Sequence, residues 1–279
     1  YYMSIAYLAA WQGPVLEEDD PYGDNQTVNG LSAVKHLEEA IILKDKNYEA
    51  IKSSVYKYGG VETVIYCDMK NATSSSYYYN RNRSSYYYDG DQTPNHDVVI
   101  VGWDDNYPKE YFNTDPAGDG AFICKYSWGQ DFGDEGFFYI SYYDTNIGMN
   151  SVVYTKLGNS DNYDKIYQSD LMGEVGTMGF DDRPEAYFAN VYTAGKNETL
   201  KAVSFYATGP KTTYDVYVVT DFTDVSDLQQ RTKVASGEMQ YEGYYTINLN
   251  EAVPLPDDRK FAVVVHVNTQ DSTMPIAIE

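Results

Sequence analysis

From Val61 onward the apolar residues of the chain stop following a helical repeat and recur at every second position, the spacing of a strand with one buried face. Residues 61–67, 98–103, 121–126, 136–143 and 151–156 each carry such a run, and Gly, Asp and Asn gather between them. Five short strands joined that way predict an antiparallel barrel or a strongly twisted sheet. The polar stretch Gly158-Asn159-Ser160-Asp161-Asn162-Tyr163-Asp164 reads as a linker. Beyond it, runs at 186–193, 200–207, 214–220, 244–249 and 260–267 predict a β-sandwich over 165–279. Alternation puts Phe205, Tyr217, Val219, Ile247, Val263 and Val265 inward, and His266 on the face opposite Val265. The final residues, Ile276-Ala277-Ile278-Glu279, read as the start of a further strand, so the sandwich is expected to be incomplete at its C-terminus.

Helical spacing is confined to the first sixty residues. Met3, Ala6, Tyr7 and Ala10 predict the end of a helix over 1–11, stopped by Gly13-Pro14, with an acidic loop at 17–22. The chain is therefore expected to begin inside a folded element. Asn47 reads as the N-cap of a second helix, with Tyr48, Ile51, Val55 and Tyr58 on one face and Gly59-Gly60 closing it.

A chain of 279 residues exceeds one average domain of roughly 100–200 residues, in keeping with two domains. A composition 43% hydrophobic and 16% aromatic excludes a disordered or fibrous chain. With 20 basic and 42 acidic side chains the net charge is −22, which repels nucleic acid and anionic lipid. No apolar run approaches the roughly 20 residues of a spanning helix, and residues 1–8 lack the basic start of a signal peptide. Cys67 and Cys124 cannot make a disulfide framework; each reads as a small buried residue in a strand. Tyrosine is over-used, at 31 residues, and the clusters Tyr77-Tyr78-Tyr79 and Tyr86-Tyr87-Tyr88 suit either an adaptable exposed surface or a solvated excursion between strands.

Of the three histidines, His96 stands where chemistry is plausible, after Pro94-Asn95 and at the mouth of the strand Val98-Val99-Ile100-Val101-Gly102-Trp103. Asn95-His96-Asp97-Val98, followed by Tyr126-Ser127-Trp128-Gly129 and Gly133-Asp134-Glu135-Gly136-Phe137-Phe138, resembles the papain-like cysteine peptidases. Gly13-Pro14-Val15, Glu17-Glu18-Asp19, Pro21-Tyr22 and Gly60-Val61-Glu62-Thr63 resemble the bacterial branch that carries a lectin-like domain, and 188–194 with 198–206 resemble that domain.

The resemblance implies an α+β papain-like domain over 1–157, comprising its β-barrel half and the end of its helical half. A linker over 158–164 and an all-β lectin-like sandwich over 165–279 follow. It implies a cysteine endopeptidase, secreted or held at a bacterial cell surface, acting on protein or peptide substrates with no cofactor. His96 matches the general base and acid, and Trp128 the indole that shields it. Tyr126 stands at the family's orienting asparagine, and its phenol oxygen lies several ångströms farther from the backbone than an amide's. The family's nucleophilic cysteine and oxyanion glutamine match nothing here. Cys67 and Cys124 fall on strands rather than at the start of a helix, where a thiolate is favoured, so the peptidase domain is expected to be incomplete at its N-terminus and inactive by itself. Asp97, Val64, Tyr1 and Tyr2 match the walls of the pocket for the side chain two places before the scissile bond, where an acid favours Lys or Arg. Two other readings stand beside this one. Tyr126 favours a pseudopeptidase that keeps the cleft and has lost catalysis. Tyrosine-rich strands and acidic loops in 165–279 suit an adhesion module that stacks cell-wall glycans and ligates calcium.

Overall fold

The computed structural model describes residues 2–21, 28, 30–169 and 171–279. In chain order these form α1 (Tyr2–Ala9), β1 (Lys35–Leu43), α2 (Tyr48–Tyr58), β2 (Val61–Ile65), β3 (Tyr79–Asn80), β4 (Ser85–Tyr86), β5 (His96–Asp104), β6 (Ala121–Lys125), β7 (Phe137–Ser141) and β8 (Ser151–Asn159). Strands then follow: β9 (Gly176–Met178), β10 (Glu185–Thr193), β11 (Thr199–Ala207), β12 (Thr212–Val219), β13 (Thr232–Met239), β14 (Glu242–Pro254), β15 (Lys260–Thr269) and β16 (Ile276–Ile278). The chain forms two compact units, residues 42–154 and residues 1–41 with 155–279, and the divisions fall inside β1 and β8.

In the unit 42–154 the strand order is β8-β2-β5-β6-β7-β4-β3. Every pair is antiparallel except β4 with β7. The barrel half implied by the resemblance does not close: among the described residues this is an open sheet, ending on the two-residue strand β3. Its core is Val61, Ile65, Val98, Ile100, Phe122, Cys124, Phe138 and Ile140, all buried. Against it packs α2, where Ile51 and Val55 are buried. The Asn47 side chain accepts from the Ala50 amide, and Gly59, at φ 97°, closes the helix by donating to Val55 O. The tyrosine clusters are not solvated excursions: Tyr79, Tyr86 and Tyr88 are buried, the Tyr86 hydroxyl donates to Tyr66 O, and only Tyr77 of the clusters is strongly exposed.

In the other unit β10-β15-β12-β13 form one antiparallel sheet, β11 pairs with β14 beside β1, and β9 pairs with β16. Phe205 of β11 lies 6.2 Å from Phe188 and 5.6 Å from Tyr214, so the two larger sheets meet through aromatic rings. Val216 is the register partner of Val265 and Val218 of Val263, which places Val263 and Val265 on that inner face. Tyr217 alternates to the opposite face, under the Arg231 guanidinium, and the inward placement expected for it is corrected, whereas Val219 is buried. His266 lies on that outer face, stacked on Tyr187. Beside α1, Gly173 has φ 72°, and a Cβ there would stand 2.9 Å from Ala6 Cβ. Among the described residues no helix is long and apolar enough to cross a membrane.

Candidate active site

His96 opens β5 opposite Ile65 of β2, and β6 runs antiparallel on its other side with Lys125 opposite Val99. That register brings the residues just past the end of β6 back to the start of β5, although 30 positions separate His96 from Tyr126. The Tyr126 ring lies 5.5 Å from the imidazole and the Trp128 ring 6.0 Å, both edge-on, and the two rings are 4.2 Å apart. Phe132 and Phe138 complete an aromatic box around Tyr126 at 5.0 and 5.6 Å. The turn that returns Phe138 to this box needs Gly133: its φ is 66°, and a Cβ there would lie 2.1 Å from Phe137 O.

The imidazole is half-buried, with Nδ1 2.7 Å from the carbonyl oxygen of Asn95. A carbonyl only accepts, so Nδ1 carries a proton and, in the neutral ring, Nε2 is left with the lone pair. Tyr126 does not orient this ring from the side. Its hydroxyl donates to Cys67 Sγ at 3.6 Å, and burial pushes its pKa up, the bond to Cys67 adding to the effect. Burial likewise raises the Cys67 thiol, against a smaller opposing effect of the Tyr126 hydrogen bond. Cys124 is fully buried and its thiol is raised well above the ordinary value. Both thiols are therefore protonated at neutral pH, and neither is a nucleophile.

Val64 and Asp97 are register partners on β2 and β5, on the more exposed face. Glu62 shares that face, and its carboxyl is raised by burial, with a Tyr154 hydrogen bond opposing and the charge of Asp97 adding. Tyr2 stands on α1 in the other unit, where its hydroxyl donates to Glu242 Oε1 at 3.1 Å, and Tyr1 lies outside the described residues. Among the described residues no three His, Cys, Asp or Glu side chains group as a metal site.

The sequence pattern of the papain family of cysteine proteases matches residues 2–157. The chain belongs to the papain family of cysteine proteases. A lectin-like domain pattern matches residues 166–279, so the fold is a papain-like domain followed by an all-β lectin-like domain. No curated protein sequence matches this papain-family chain. Solved structures do, two of them of the clostridial cysteine protease Cwp84. One is a clostridial cysteine protease, Cwp84, after propeptide cleavage, at 29% identity and TM-score 0.83 over 95% of this chain and 66% of that one. The other comprises the cysteine protease and lectin-like domains of Cwp84, a surface layer associated protein of Clostridium difficile, at 29% identity and TM-score 0.81 over 95% of this chain and 59% of that one. The papain-family chain thus spans less than two thirds of either.

The sequence pointed to His96, Tyr126 and Trp128, and the structure brings these three together. It did not point to Cys67 as the partner of Tyr126, nor to Asn95 as more than the residue before the histidine. No spacing signals the first, since 59 positions separate the two groups.

Proposed function

We propose that the whole protein is a cysteine endopeptidase in which His96 works on a thiol lying outside these 279 residues. The observation that carries the reading is His96 itself: half-buried, walled by Tyr126 and Trp128, with Nδ1 2.7 Å from the Asn95 carbonyl. The thiol gives its proton to the imidazole, and the thiolate attacks the peptide carbonyl carbon. The imidazolium then protonates the departing amine, and water activated by the same ring hydrolyses the thioester. This chemistry uses no cofactor. Asp97 and Val64, with Glu62 adding acidic character, favour substrates with Lys or Arg two places before the scissile bond. Residues 1–157 serve as the peptidase part and 165–279 as the lectin-like part. A surface layer associated neighbour supports a place at a cell surface. A cleft of about 1030 Å³ lined by Trp11, Tyr163, Phe188, Tyr192 and Phe205 supports a glycan as the second part's ligand.

Tyr126, turned away from the imidazole toward Cys67, favours a second reading, a pseudopeptidase. Peptide hydrolysis by the full-length protein decides between them, with Tyr126→Asn measured alongside. The peptidase reading expects turnover in the wild type, and no more than a modest change on Tyr126→Asn. No turnover with either residue, in a protein whose upstream thiol still reacts with an alkylating probe, establishes the pseudopeptidase.

A further inference from the structure

The cleft of about 1030 Å³ is not lined by the lectin-like segment alone. Trp11, His36 and Glu38 also line it, and all three belong to the segment that the papain-family pattern matches. Trp11 follows the end of α1 with φ 58°; its N–H donates to Leu8 O, and the N–H of Gln12 donates to Tyr7 O. That is the helix-end position glycine ordinarily takes, and a bulky residue there is strained. The indole lies 3.9 Å from the His36 ring and 6.4 Å from the Tyr163 ring, with interplanar angles of 3° and 9°. Tyr163 is held in turn by its hydroxyl, which donates to Asn248 Oδ1 at 2.9 Å.

Hydrogen bonds also fix the His36 ring. Asn162 Nδ2 donates to Glu38 Oε1 at 2.6 Å, so the amide turns its Oδ1 to His36, and Nδ1, 2.9 Å away, carries a proton. In the neutral ring Nε2 then holds the lone pair, and it has no partner among the described residues although His36 is buried. The two glutamates of the lining discussed here are already paired, Glu38 with Lys156 at 2.5 Å and Glu198 with Lys165 at 2.8 Å. At the Trp11 end the cleft therefore offers flat aromatic surface and an uncharged acceptor, the match of a neutral sugar with its apolar ring face and its hydroxyl donors.

We propose that Trp11 and His36 form the sugar-reading end of this cleft: a neutral glycan stacks on the part of the indole that His36 leaves uncovered and donates a hydroxyl to His36 Nε2. This rests on the reading of a glycan as the ligand and goes beyond it, because the residues that recognise the sugar come from outside 165–279. The lectin-like part does not read its ligand by itself; the papain-like segment completes the site.

The chain has three tryptophans, and Trp103 and Trp128 lie in the unit 42–154, so a sugar at Trp11 shifts the emission of one indole. Neutral trisaccharides of glucose, N-acetylglucosamine, mannose or galactose are titrated into this 279-residue chain, with binding read by calorimetry and by tryptophan emission. At least one is expected to bind and to shift the emission. Trp11→Ala is expected to raise its Kd about 10-fold and to abolish the shift. His36→Asn, whose amide keeps a donor for Asn162 and has nothing in the place of Nε2, is expected to raise Kd about 5-fold, both variants being compared at matched folded concentrations. A sugar that binds wild type and both variants alike overturns the placement and leaves the glycan reading in force. So does a sugar that binds the wild type without changing its emission, which decides even if neither variant folds. Binding of an acidic trisaccharide with none of the neutral ones overturns the proposal and keeps a glycan as the ligand. Binding of a fatty acid alone, or of no probe, overturns both.

Discussion

Two histidines in this chain are bordered by a tryptophan, and only one is arranged to react. His36 is 6% exposed, stacked face-on against Trp11 at 3.9 Å, with Nδ1 2.9 Å from Asn162 Oδ1. That amide is itself held by Glu38, whose carboxylate also pairs with Lys156. His96 has only a backbone carbonyl on Nδ1 and the edges of two rings. An imidazole with an asparagine and an indole is the combination a thiol protease uses, yet here it occurs complete at the buried histidine. What separates the two is leftover capacity: His36 has its flat face and one nitrogen committed inside a packed unit, whereas His96 keeps a nitrogen and part of its surface for a reacting group.

The strongest attempt to break this contrast is replacement of each ring in the full-length protein. His96→Ala is expected to lower kcat/KM for a peptide substrate by about 10³-fold or more, with a native unfolding midpoint. His36→Ala should do the reverse, costing about 2 kcal/mol of stability from lost stacking and an orphaned amide while the folded fraction keeps its rate. Equal losses of rate in both variants, measured at matched folded concentrations, would remove the distinction.

A carboxyl in the same unit as His36 extends the contrast from rings to acids. Glu174 is buried, and burial followed by the charge of Glu242 pushes its pKa up to about 7. Its folded pKa stands above its unfolded one, so its contribution is fully present below about pH 4.5 and is lost as pH rises through about 7. Over that window stability should fall by up to about 3 kcal/mol on account of this group, and Glu174→Gln should remove the decline. Denaturant midpoints at pH 5 and pH 8 that differ equally in wild type and variant would contradict it. The smallest effect expected is that of Tyr126→Phe. It deletes one hydrogen bond to a thiol and keeps the aromatic box, so about 1 kcal/mol or less is lost. A larger loss would mean that the phenol supports His96 more directly than the ring geometry implies.

What could be read before the fold was known follows the same line between local and distant causes. α2 was legible because Asn47, Ile51, Val55 and Gly59 agree within one segment. β1 was not. Lys35–Leu43 is buried along nearly its whole length on both faces, which erases alternation, and even Glu38 is buried, on Lys156 and Asn162. Tyr217 was placed on the wrong face because the apolar row of Val216 and Val218 runs beside it, and sequence cannot say which of two apolar rows faces the other sheet. In the site, His96, Tyr126 and Trp128 announced themselves by residue type and order. The bond from Tyr126 to Cys67 depends on the length of a phenol and the register of three strands, and neither has a signature in one segment.

The two cysteines of this chain give it an experimental use that follows from their burial. Cys67 and Cys124 are free and held as neutral thiols in apolar surroundings, one against a phenol and the other deep in the sheet. Soft electrophiles at neutral pH react with thiolates and pass such groups by. Under native conditions this stretch of the protein is therefore a dark background for covalent labelling. A tag that appears on the full-length molecule reports on a thiol elsewhere, and the same tag appearing on residues 67 or 124 reports that the unit 42–154 has opened.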